Sequence, residues 1–368
     1  MAEAIKVWTN NPVEVEKAIL SGEETGEVLT QYGANEFAVD FLRRKGIWEK
    51  LLVKPRRKEN GKDWEKLGGI AILSELLHVG HLAKADKVIK DAKLMLELGF
   101  TLAETEAAAD KGKGIIHRDT LRNYFKAIPE SRSKSGFYDF VTFMRDKKWV
   151  RGKTYAADGF EIEVTGETYE GIGKTWDDME KRWKYGYKVV LLMNIEKERE
   201  RIIGFSLGPI NTDERELLLE ILADLEKRVG KVKDIIDTLV LDRGYWGFDF
   251  MENILDKKYH IDYVLIAKKS FTFVKEDLRY LIDQRKVSFQ ARQLLNPTTK
   301  EWEEVQIAYV KDICHGHYIS KKNTHRGKVN VVVMKKMEGK KEVEVFYVTN
   351  KQNVKKNPLK IVQLYAAR

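Results

Sequence analysis

The stretch KDIIDTLVLDRGYWG, Lys233–Gly247, decides how the rest of the chain is read. Its run from Ile235 to Leu241 is apolar and short, as in a strand buried inside a sheet. Asp242 closes that run, and Arg243, Gly244, Tyr245, Trp246 and Gly247 open a loop. A carboxylate at the C-terminal end of a buried strand is costly unless it is hydrogen-bonded or bound to a cation. Strand ends are also where open α/β sheets place their sites. Asp242 is therefore either a functional acid or a strand-end cap.

Upstream, DERELLLEILADLEKRV (Asp213–Val229) has the three-and-four spacing of an amphipathic helix. Before it come three strand-like runs rich in Val, Ile, Tyr and Phe: KTYAADGFEIEV from Lys153, YGYKVVLLMNI from Tyr185 and RIIGFSLGPI from Arg201. Downstream, FDFMENILDKKY reads as a helix and IDYVLIAKKS as a second buried strand. Meandering strands followed by alternating helices and strands predict an α/β core, a mixed sheet with helices packed against it. Asp158 lies within the first of these strands. If that strand neighbours the one ending at Asp242, the two carboxylates converge on a hard, oxygen-loving cation such as Mg²⁺.

The flanks complete the organisation. Residues 1–150 read as helical, in segments such as ANEFAVDFLRRKGIWEKLL and DWEKLGGIAILSELLHVGHL. Within them Thr101–Ser131 reads as helix, short turn, helix, with Arg118, Arg122, Asn123 and Lys126 on the second element. That suits either a helix-turn-helix presenting its second helix to a DNA groove or a solvated basic face in a bundle. Residues 151–270 form the α/β core. Residues 271–345 break into short strand-like pieces and basic turns, which reads as a β-rich insertion. Residues 346–368 are a last strand, VFYVTN, and a helix with Asn357 as N-cap and Pro358 at its first position. Ile361, Leu364, Tyr365 and Arg368 share one face of that helix, which is marginal unless packed.

Composition narrows the setting. The 368 residues carry a formal charge of +9, an excess that favours polyanionic partners through counterion release. A single cysteine, Cys314, excludes an internal disulfide framework and fits a reducing cytosol. No apolar run is long enough to span a bilayer, and MAEAIKVWTNNPVEVEKAIL lacks the layout of a signal peptide. Gly173-Lys174-Thr175 is not a phosphate loop, because Thr168 stands where the first glycine of that motif is required. Cys314, His315, His317 and His325 lack a second spaced ligand couple for zinc. His78, His81, Trp246 and Trp302 read as packing or surface residues.

Taken together, YAADGFEIEV, LVLDRGYWG, VFYVTN and NPLKIVQLYAAR resemble the DDE transposases of bacterial and archaeal insertion sequences, specifically the insertion-sequence-four group. The resemblance runs from about residue 150 to 368. It implies a ribonuclease-H-like core with Asp158 on the first strand and Asp242 after the fourth, holding Mg²⁺ or Mn²⁺. It implies cut-and-paste transposition: in-line attack on DNA phosphodiesters by water and then by a freed 3′ hydroxyl. Its final helix carries Tyr, Arg, Glu and Lys in spaced order. Tyr365 and Arg368 fit the first half and are implied to contact DNA near the cleaved phosphate. Lys188, Arg243 and Tyr245 are each either a candidate backbone contact or a plain surface or packing residue. The implied partners are double-stranded DNA bearing terminal inverted repeats and a second copy in a homodimer, in a prokaryotic cytoplasm at the nucleoid, without a membrane. The signature Glu would fall beyond Arg368, and neither Glu342 nor Glu344 has a physical reason to replace it. The expectation is a catalytic helix truncated before its acid, and a chain that alone is nearly inactive. The alternative is a non-catalytic protein, derived from such a transposase, that binds terminal repeats.

Overall fold

The computed structural model describes residues 35–55, 63–77, 85–196, 200–247, 249–267, 272–296, 300–319, 324–339 and 341–368. His78 and His81 lie outside these residues, as do the side chains of Cys314, His315, His317 and His325. The chain divides into two compact units, Met1–Phe140 and Val141–Arg368.

Helices build the first unit: α1 (Asn35–Arg44), α2 (Trp48–Leu51), α3 (Trp64–Leu76), α4 (Asp86–Ile89), α5 (Ala92–Glu97), α6 (Leu102–Ala109), α7 (Arg118–Lys126) and the start of α8 (Glu130–Asp146). Several starts are set by caps. The Asp63 carboxylate accepts from Glu65 N at 3.0 Å, the Asp91 carboxylate accepts from Leu94 N at 3.0 Å, and Thr101 and Glu104 form a capping box. Val39, Trp48, Ile70, Leu73, Met95, Leu121 and Tyr124 bury the shared core. The change of pattern near residue 151 marks the first strand, but the division between units falls inside α8. There the last turn of α8 is tied to the second unit, with Arg145 Nη1 donating to Val229 O at 3.3 Å.

The second unit opens with β1 (Thr154–Glu163), β2 (Gly173–Asp177), β3 (Arg182–Asn194) and β4 (Ile202–Pro209). Then follow α9 (Glu214–Arg228), α10 (Val232–Ile235), β5 (Thr238–Leu241), a π-helix (Asp249–Lys258) and β6 (Asp262–Ile266). The chain continues through α11 (Thr272–Asp283), β7 (Gln290–Leu295), β8 (Trp302–Ile319), β9 (Thr324–Glu338), β10 (Lys341–Thr349) and α12 (Leu359–Ala366).

Among the described residues these strands form one sheet in the order β2-β3-β1-β5-β6-β10-β9-β8-β7, with β4 also on β3. β1, β3 and β4 pair antiparallel, while β5 runs parallel to β1 and β6 parallel to β5. A three-stranded meander joined to two parallel strands is the ribonuclease-H-like arrangement expected of this core. α9 packs on β3 and β4 through Leu217, Leu218, Ile221, Leu222 and Leu225. On the other face Ile361 and Val362 of α12 enter a core with Ala156, Val240, Val264 and Tyr347.

Three elements differ from the sequence reading. The segment around Lys174, which lay outside the strand-like runs read from the sequence, forms β2 on the edge of β3. The 271–345 region begins with the helix α11 and then forms long strands rather than short pieces. It is hydrogen-bonded into the core sheet, because β10 pairs with β6 as well as with β9. The stretch after Tyr245 is helical as expected, but wound as a π-helix.

Candidate active site

β1 and β5 run side by side, with Ala157 opposite Leu241 at the end of the pairing. The next residue on each strand is an aspartate, so Asp158 and Asp242 emerge together. β5 holds Asp242 in place because all its residues are buried. Behind it, the loop is tied to the start of α9: Arg215, paired with the N-cap Asp213, donates through Nη1 to Trp246 O at 3.1 Å. On the far side, Asn350 clamps the strands that lead into α12. Its Oδ1 accepts from Tyr263 N at 2.8 Å, and its Nδ2 donates to Ile261 O at 3.2 Å.

α12 then delivers Tyr365 and Arg368 to the aspartates. Arg368 Nη2 lies 2.8 Å from Asp158 Oδ1, and Nη1 lies 3.3 Å from Asp242 Oδ1. Nη1 also donates to the Tyr365 hydroxyl at 3.2 Å, and that hydroxyl donates to Asp242 Oδ1 at 3.4 Å. The Tyr365 ring meets the Tyr347 ring edge-on, with centroids 5.7 Å apart. Arg368 is 18% exposed, against 66% for Asp158. Burial works against the guanidinium charge, but the Asp158 carboxylate outweighs it and the net shift is upward. Burial also raises the Tyr365 hydroxyl.

Both aspartates thus direct an oxygen at one cationic group. That convergence and the all-oxygen donor set fit a hard divalent ion. Among the described residues no group of three or more His, Cys, Asp or Glu side chains gathers for a metal. Glu342 and Glu344 are engaged elsewhere, 3.4 Å and 3.0 Å from Lys335 Nζ.

Other expected residues are distributed differently. Arg243 is exposed beside Asp242, and Arg118 and Arg122 are exposed on α7, where Asp119 pairs Arg122 at 3.2 Å. Lys188, a candidate DNA backbone contact, is mostly buried and sits between Glu161 at 3.7 Å and Glu214 at 3.9 Å. Tyr245 is fully buried, so its ring belongs to the core rather than to a DNA-facing surface. Its hydroxyl has no hydrogen-bond partner among the described residues. Trp302 is exposed, while Trp246 is partly buried.

Two features escaped the sequence reading. Glu214, in the first turn of α9, lies across Gly159 and Gly244. A Cβ at Gly159 would sit 2.7 Å from its carboxyl carbon, and one at Gly244 3.7 Å from Oε2. Burial raises the Glu214 pKa, with Lys188 opposing and Asp158 and Asp242 adding to the rise. The signal was the glycine following Asp158 and the glycine two places past Asp242. The second feature is an aromatic surface. Strand alternation puts Phe160 and Ile162 on the face of Asp158, and the register continues that face through Tyr187, Tyr185 and Trp183 of β3 to Trp176 and Lys174 of β2. Trp176 and Trp183 meet edge-on at 5.5 Å and Lys174 Nζ lies 5.1 Å from the Trp183 ring centroid. Phe160, Ile162, Trp176 and Trp183 are all exposed.

Residues 151–368 match the family described as the transposase DDE domain. No curated protein matches the sequence. Among the solved structures that match is the cryo-EM structure of a piggyBac transposase synaptic complex with hairpin DNA. It shares 10% identity at a TM-score of 0.38, over 90% of this chain and 66% of that one, so the chain spans just under two thirds of that neighbour's length.

Proposed function

The chain belongs to the transposase DDE domain family, and from that membership we propose that it acts at the ends of an insertion sequence, binding terminal inverted repeats and serving metal-dependent cleavage and strand transfer of their phosphodiesters. The observation that carries this reading is the convergence of Asp158 and Asp242, from adjacent parallel strands, on one cation position.

Asp158 and Asp242 would hold Mg²⁺ or Mn²⁺, which when bound supplies Lewis-acid activation of the attacking oxygen and charge relief at the leaving oxygen. Arg368 offers a planar fork matched to a phosphate, and Tyr365 fixes the angle of that fork. Arg243 stands exposed at the mouth of the site. The face running from Asp158 to Trp176 and Trp183 suits the strand that leaves the site, because exposed aromatic rings stack on bases irrespective of sequence. Arg118 and Arg122 supply contacts from the helical unit.

Two-ion phosphoryl chemistry draws on more oxygen donors than two aspartates provide. Residues 1–368 by themselves are therefore expected to bind element ends and to cut them slowly or not at all. The test is incubation with labelled duplex carrying the element's terminal repeat, in Mn²⁺ or Mg²⁺. Preferential binding of the repeat is expected, with faint nicking that Asp158→Asn abolishes. Equal binding to a scrambled duplex would sink the end-recognition reading, and vigorous cleavage would sink the two-carboxylate limit. A second reading, a repeat-binding protein without catalysis, is favoured by the Arg368 guanidinium standing where the ion would sit. It expects no nicking at any ion concentration and repeat binding unchanged by Asp158→Asn.

A further inference from the structure

The guanidinium of Arg368 stands between the two aspartates, within 2.8 Å of one and 3.3 Å of the other. A divalent ion held by the same oxygens would place two cationic centres within a few ångströms, well inside the distance over which salt screens charge. Arg368 must leave before the ion enters. The rest of α12 does not have to follow: Ile361 and Val362 carry its buried face, whereas Arg368 lies beyond the helical turn that ends at Ala366. Tyr365 can keep its hydrogen bond to Asp242 while the arginine swings. What would draw Arg368 away is another forked anion acceptor, and phosphate is the best match to its geometry. Its Nε, buried and without a partner among the described residues, leaves a donor of the fork unused in the aspartate-bound position.

We propose that Arg368 couples cation binding to DNA binding: without DNA it closes the aspartate pair, and a DNA phosphate draws it off and opens the pair to a divalent ion. This rests on the reading of Asp158 and Asp242 as ion ligands given above. Coupling of this kind is reciprocal, so DNA strengthens ion binding by the factor by which the ion strengthens DNA binding. Its consequence is that an ion would be held more tightly at the aspartates when a phosphodiester is present.

The experiment is Mn²⁺ titration of the full chain, read by the electron paramagnetic resonance of the free ion, with and without a short saturating duplex. A parallel titration of the Asp158→Asn, Asp242→Asn double variant with the same duplex subtracts ions bound by DNA. In the wild-type chain the duplex is expected to tighten Mn²⁺ binding by roughly tenfold or more. Arg368→Ala is expected to bind Mn²⁺ without DNA about as tightly as the wild type does with it, and to gain at most about twofold on adding duplex. Arg368→Lys, a cation without the fork, should fall between the two, and it serves if the alanine variant folds poorly. An unchanged wild-type affinity with duplex, or no gain in the DNA-free Arg368→Ala chain, overturns the coupling. If Mn²⁺ binding by Arg368→Ala survives loss of both aspartates, the ion lies elsewhere and the reading of the site fails too.

Discussion

At the scale of single residues, Gly159 and Gly244 show how two glycines let a helix acid, Glu214, lie against the segments that carry Asp158 and Asp242. Asp158 and Asp242 were legible because each interrupts or ends an apolar strand, where a carboxylate must have a reason. Spacing showed only that Tyr365 and Arg368 share one face of a short helix; their nomination as site residues came from the family resemblance. Glu214 looked like any first-turn acid of a surface helix, and only the β1 pairing shows that a missing Cβ lets it lie over Gly159. Tyr245 was left open between a backbone contact and a packing residue, and its ring is buried. Glu214 has a measurable consequence. Its pKa is raised, chiefly by burial, so the folded state prefers the protonated carboxyl. A raised acid adds stability below its unfolded pKa and loses it as pH rises through the folded value. Glu214→Gln removes the ionised form. Its melting temperature is therefore expected to exceed that of the wild type by about 2–4 °C at pH 8, with the gap closing as pH falls through the carboxylate range. A gap that is constant with pH would show that ionisation of Glu214 does not cost the fold stability.

Elements explain why those residues arrive in register. β4 and α9 meet where Gly204 faces Ile221, and a Cβ on Gly204 would collide with Ile221 Cγ2. The sequence showed both elements but not this close approach, since a glycine inside a strand signals only that something comes near. Gly204→Ala should overpack the contact and cost about 1–3 kcal/mol of stability, read by denaturant unfolding. Adding Ile221→Ala tests the cause. The double variant should be more stable than the sum of the single losses predicts, by about 0.5 kcal/mol or more, because the second change removes the colliding methyl. Strict additivity would place the damage elsewhere. The same scale accounts for the misread insertion. In β9 the buried run Val331–Met334 is apolar on both faces and is followed by Lys335, Lys336 and Met337. Its basic end resembled a turn, and only pairing with β8 and β10 reveals one long strand.

For the whole molecule, a mixed sheet with flanking helices followed from sequence because strand-like runs and amphipathic helices alternate in it. The division between units did not, because α8 runs through it without a break in helical pattern. Each unit presents cations of its own: Arg118 and Arg122 stand exposed on α7, and Arg243 beside Asp242. With a net charge of +9, counterion release should dominate affinity for DNA. The logarithm of the binding constant should fall linearly with the logarithm of salt, by about 0.9 per phosphate neutralised. If α7 lies on DNA, Arg118→Ala with Arg122→Ala should lower that slope by about 2 and weaken all duplexes, repeat or scrambled, by similar factors. A larger loss for the repeat than for the scrambled duplex would instead show that these arginines read base edges. Mn²⁺ binding to the DNA-free chain should be untouched in either case, because the cation position is formed by Asp158 and Asp242 and closed by Arg368. An unchanged salt slope would remove α7 from the DNA surface and leave the polyanion to the aromatic and arginine-bearing face around Asp158.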